Sequence, residues 1–77
     1  MNKEITRIIK NVLVRYDQEI ALKKLCSEFE HLGYEVILDG VKISSETAEF
    51  AASKNPVTFS LYGSGVLKEE FSIKFPV

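Results

Sequence analysis

The chain has 77 residues, of which 45% are apolar and 27% charged, with a formal net charge of −1 and a single cysteine. So apolar a composition excludes a disordered chain, and so short a length excludes more than one domain, so residues 1–77 are expected to form one small globular unit. One cysteine excludes an intrachain disulfide framework and fits a reducing compartment, which makes a cytoplasmic protein the expectation, and near-neutral charge argues against a generic nucleic-acid coat.

Charge is distributed unevenly along the chain. Residues 1–24 hold six Lys or Arg (3, 7, 10, 15, 23, 24) against three acids (4, 17, 19), about +3, and the remainder holds four bases against eight acids, about −4. The opening apolar positions are interrupted by Arg7, Lys10, Arg15 and Asp17, so they make neither a secretory core nor a membrane span.

Residues 2–32 lack Gly and Pro and read as helix. The apolar stripe changes sides on the way. At about 100° per residue, Ile5, Ile8, Ile9, Val12, Leu13, Tyr16 and Ile20 share one face, while Ala21, Leu22, Leu25, Phe29 and Leu32 take roughly the opposite one. Two structures satisfy this pattern. In one, Asp17 caps a second helix and the two segments fold against each other and a sheet. In the other, one rod of about 45 Å overhangs a globule about 30 Å across; its front aliphatics then need a cover, either a second copy in a homodimer or a partner protein. The Tyr16–Glu19 segment has no Gly or Pro to turn the chain, which speaks for the rod. Gly33 suits a left-handed C-terminal cap, with Tyr34 making the apolar contact that accompanies it.

Asp39-Gly40 predicts a type I′ hairpin that sets Leu38 opposite Val41 and Val36 opposite Ile43. Residues 44–54 read as a short helix with a serine N-cap and acids in its first turn. A second hairpin follows, from Val57 to Tyr62 and from Val66 to Phe75, joined by Gly63-Ser64-Gly65. A three-residue turn aligns Val57 with Phe71 and Leu61 with Leu67 inside, with Thr58/Glu70 and Ser60/Lys68 outside. On that register the last strand outruns its partner, so its far half pairs with the first hairpin or with another chain. The fold class is therefore α+β: a long N-terminal helix, whole or broken near Asp17, then hairpin, short helix and hairpin, forming a small antiparallel sheet with helices on one face.

No residue cluster announces catalysis. His31 is the lone histidine, near a helix C-terminus where it complements the dipole, and Cys26 has acidic neighbours that disfavour a thiolate. Gly63-Ser64-Gly65 joins two strands and lacks the Lys of a phosphate loop. Glu69 falls in the inward row between Leu67 and Phe71, opposite Phe59, unless a β-bulge swings it out. The aromatic residues Tyr16, Phe59, Tyr62, Phe71 and Phe75 could in principle stack on bases, but the alternation assigns most of them to the core. No catalytic, metal or cofactor site is expected.

The function expected from these features is binding: a non-enzymatic module acting as an inhibitor, adaptor or accessory factor, phage-encoded blockers of host defence among them. In that reading Ile5, Ile8, Ile9, Val12 and Tyr16 anchor the contact, Arg7, Lys10 and Arg15 orient it, and the last strand offers a second route by edge pairing. Two alternatives stand beside it, nucleic-acid binding through the basic face and an accessory enzyme subunit completed by another chain.

Overall fold

The computed structural model describes residues 2–42 and 56–75. The opening segment is two helices, α1 (Lys3–Arg15) and α2 (Gln18–His31). Asn2 caps the first, its side-chain oxygen accepting the Glu4 N–H at 2.8 Å. Two extended residues then reverse the chain, Tyr16 at φ −130°, ψ 151° and Asp17 at φ −75°, ψ 174°. Asp17 caps α2 by accepting the Ile20 N–H at 3.3 Å. The single rod is thus overturned. No glycine is required, because extended backbone is open to every residue and the Asp17 carboxylate takes up a donor that the new helix leaves free.

Once α1 folds back on α2, its stripe has somewhere to go. Ile5, Ile8 and Val12 join Ala21, Leu22, Leu25, Cys26 and Phe29 of α2 in one core, with Ile9 and Leu13 partly buried against it. The chain itself, α2 above all, supplies the cover that a second copy or a partner was expected to give. Three residues assigned to the stripes instead face water: Tyr16, between the helices, is 36% exposed, Ile20, in the first turn of α2, is 45% exposed, and Leu32, just past its end, is 39% exposed. The exit from α2 runs as expected. Gly33, at φ +94°, donates its N–H to the Glu30 carbonyl at 2.9 Å, and Tyr34 donates to the Phe29 carbonyl at 3.1 Å, the paired bonds of a Schellman ending.

Four strands follow, β1 (Glu35–Leu38), β2 (Val41–Lys42), β3 (Val57–Gly63) and β4 (Val66–Ile73), in the antiparallel order β2-β1-β3-β4. The first turn has Asp39 and Gly40 both at positive φ and sets Leu38 opposite Val41, as predicted. Asp39 also ties this turn to the neighbouring strand: its carboxylate accepts the Thr58 N–H at 3.1 Å, and its own N–H donates to the Thr58 carbonyl at 2.9 Å. The expected Val36–Ile43 pair and the helix over residues 44–54 lie outside the described residues.

The second hairpin departs from its predicted register. Its turn has two residues, Ser64 and Gly65, at φ +53° and +77°, and Gly63 pairs with Val66. A register shift next to Tyr62 then carries the pairing from Tyr62/Leu67 to Leu61/Glu69, leaving Lys68 as the extra residue of a bulge. Beyond it Phe59 faces Phe71 and Val57 faces Ile73, so the predicted Val57/Phe71 and Leu61/Leu67 pairs are replaced by others. The two-residue turn alone would mix apolar and charged residues on each face. One inserted residue restores the alternation. With this register β4 is paired with β3 as far as Ile73 and does not outrun it.

Helices cover one face of the sheet. Phe29 of α2 meets Phe59 and Phe71 edge-on, with ring centroids 5.8 and 5.9 Å apart, and these two strand rings stack on each other at 5.5 Å. Glu69 stands in this inward row, but opposite Leu61 rather than Phe59, and is only half-buried. Its carboxylate accepts the Asn2 N–H at 3.3 Å, so the negative charge rests at the positive end of α1. Among the described residues no helix is long and apolar enough to cross a membrane.

Candidate functional site

With the aliphatic face of α1 turned inward, what it presents to solvent is its basic side. Lys3, Arg7, Lys10 and Arg15 are all exposed, and Glu4 is the only acid on the helix. The Arg7–Glu4 contact, at 3.8 Å between groups 69% and 50% exposed, is a loose surface pair that contributes little. Val14 lies on the same side of α1 as Lys3, Arg7 and Lys10 and is 81% exposed, more than any other large apolar residue described. It had no part in the predicted stripe.

Folding α1 against α2 also opens a groove between them, enclosing about 350 Å³. Arg7, Asn11 and Arg15 form one wall, spaced at four-residue intervals along a ridge of α1. Lys24 and Glu28, one turn apart on α2, form the other. Ile8 and Val12 reach the floor, and Tyr16 closes one end with Lys24 Nζ 5.5 Å from its ring centroid. Three cations and one carboxylate thus surround a small, partly apolar trough, in a protein whose net charge is −1.

The predicted contact residues divide in this structure. Ile5 is fully buried, and Ile8 and Val12 show only a few per cent of their surface. These three cannot anchor a partner by a broad apolar contact while the fold is intact. Ile9 is half-buried, Tyr16 is 36% exposed, and Arg7, Lys10 and Arg15 are exposed. Lys24, Glu28 and Val14 were missed. A helical wheel of α1 puts Val14 beside Lys3, Lys10 and Arg7, so that signal was available. The approach of Lys24 and Glu28 to α1 was not, because it exists only once the chain has turned at Asp17.

The remaining chemistry-bearing residues are separate from the groove. Cys26 lies in the core, where burial, reinforced by the negative charge of Glu30, pushes its thiol up to about 12. His31 is exposed in the last turn of α2. Among the described residues no three His, Cys, Asp or Glu side chains come together as metal ligands would. Compared with protein-family models, with curated proteins and with solved structures, the chain finds no match in any of the three.

Proposed function

We propose that this protein is a binding module rather than an enzyme, and that the exposed basic face of α1 docks on an acidic surface of a partner protein. The observation that carries this reading is the arrangement on α1. Lys3, Arg7 and Lys10 share the solvent side of α1 with a largely exposed Val14, on the helix whose aliphatic side is already consumed by the core. Isolated surface charges contribute little to folding, and an exposed valine contributes nothing to it. A positive face that also carries an exposed apolar side chain is what a complementary acidic surface recognises, the charges steering the encounter and the apolar contact slowing release. The compartment of the expectation, the cytoplasm, belongs to this same reading.

A photo-crosslinking residue at Val14 tests it in the producing cells. We expect a protein adduct from position 14 that survives nuclease treatment and disappears in a Lys3→Glu/Lys10→Glu background. The same residue at Ser72, on the sheet face away from the helices, should give no such adduct. Crosslinking to nucleic acid, or a protein adduct indifferent to the charge reversals, overturns the reading; the former would favour phosphate contacts, whose affinity falls steeply with salt.

A further inference from the structure

We infer that the groove between α1 and α2 seats one acidic, amphipathic helix of a partner protein, an inference that rests on the binding reading above and specifies the partner's docking element.

Charge selects an acidic occupant. Arg7, Arg15 and Lys24 line the trough against the single acid Glu28, and no anionic partner is found for Arg15 or Lys24 among the described residues. The ends of the Arg7–Arg15 ridge lie eight positions apart, roughly 12 Å along the axis at 1.5 Å per residue. Two carboxylates about two turns apart on a helix span the same distance. Bidentate pairing of a guanidinium with a carboxylate then fixes the register at each end.

Backbone chemistry selects a helix over an extended peptide. Both walls are helices, whose main-chain donors and acceptors are already used within the helix, so a strand laid here would find no ladder to join. A helix satisfies its own backbone. It needs from the groove only a surface of ridges, and Arg7-Asn11-Arg15 beside Ile8-Val12-Tyr16 provides two rows at four-residue spacing. The slivers of Ile8 and Val12 and the ring of Tyr16 offer one apolar landing point between the charged ends. Glu28 adds selectivity, because an occupant acidic along its whole length would meet a like charge there. The matching helix therefore carries acids at its ends, a large apolar residue between them, and a base on the side that meets Glu28.

The test uses a displayed library of helix-favouring peptides of about 20 residues, randomised at charged and apolar positions and selected on the intact protein. Enriched peptides should carry Asp or Glu about two turns apart around a large apolar residue. Arg15→Glu and Lys24→Glu should each weaken the best of them by about tenfold or more, and replacing the facing acid of the peptide by Lys should recover the loss. These side chains are exposed, and circular dichroism melts will verify that both variants fold. Glu28→Lys should tighten binding of a peptide acidic throughout. Enrichment of basic or uncharged peptides, no enrichment at all, or affinity indifferent to Arg15→Glu and Lys24→Glu overturns the inference. If the position-14 crosslink persists in Arg15→Glu/Lys24→Glu protein, the basic face of α1 remains the docking surface and the groove alone is excluded.

Discussion

Cys26 shows what burial does to a single side chain here. Its thiol sits among Leu22, Leu25 and Phe29 in the core and ionises only near 12, first because burial penalises the thiolate and second because Glu30 is negative. In the unfolded chain the same thiol ionises near 9. Between those values the unfolded state has lost a proton that the folded state keeps, so stability falls as pH rises through this window and is unaffected by the thiol below it. Urea titrations from pH 8 to 11 should therefore show wild type losing more stability than Cys26→Ala, with the two slopes parallel below about pH 8.5. Acidic neighbours in the sequence foretold the direction of this effect. Its size depends on how completely the core buries the sulfur, which no local pattern displays.

At the level of elements, the decisive residue is Asp17. Its carboxylate caps α2 directly after the extended Tyr16 has ended α1, and the reversal at these two residues lets Ile5, Ile8 and Val12 join the core. Asp17→Ala should remove about 1 kcal/mol of stability through the lost cap, read as a lower midpoint in chemical denaturation with the fold retained. Asp17→Asn keeps the acceptor and should recover most of that loss. The elements themselves were largely visible beforehand: the Asp39-Gly40 turn, the Gly33 cap and the apolar alternation of β3 all carry strong local chemistry. The bulge at Lys68 was not. Turn length and face alternation disagree by one residue in this hairpin, and a sequence can be reconciled either by a longer turn or by a bulge. The positive φ of Ser64, tolerable in a two-residue turn, shows that this chain takes the bulge.

For the molecule as a whole, the longest extent is 34 Å, shorter than the roughly 45 Å of a single 30-residue rod. Compactness changes what assembly is needed for. An uncovered aliphatic helix requires a companion, whereas a covered one leaves any partner to be recruited by charge. Ile9 is a useful probe, since it is half-buried against the core rather than displayed. We expect Ile9→Asp to lower stability by on the order of 1–3 kcal/mol while light scattering gives the same mass as wild type. A wild-type dimer that the substitution splits would restore the idea that α1 meets a second copy.

The division between local and tertiary information follows from what each residue has to contact. Caps, turns and alternation are settled within a few positions of chain, which is why the α+β class, the Gly33 ending and the first hairpin could be read from residues alone, and why the basic side of α1 was already evident in Arg7, Lys10 and Arg15. Which way the aliphatic side of α1 would face was not local. It turned on whether two extended residues at Tyr16 and Asp17 would bring residues 5–12 onto residues 21–29, and that follows from the core gained by closing, not from any preference of the turn itself. The groove follows the same rule: Arg7 and Arg15 meet Lys24 and Glu28 only because the two helices close on a shared core, and that apposition belongs to the tertiary fold.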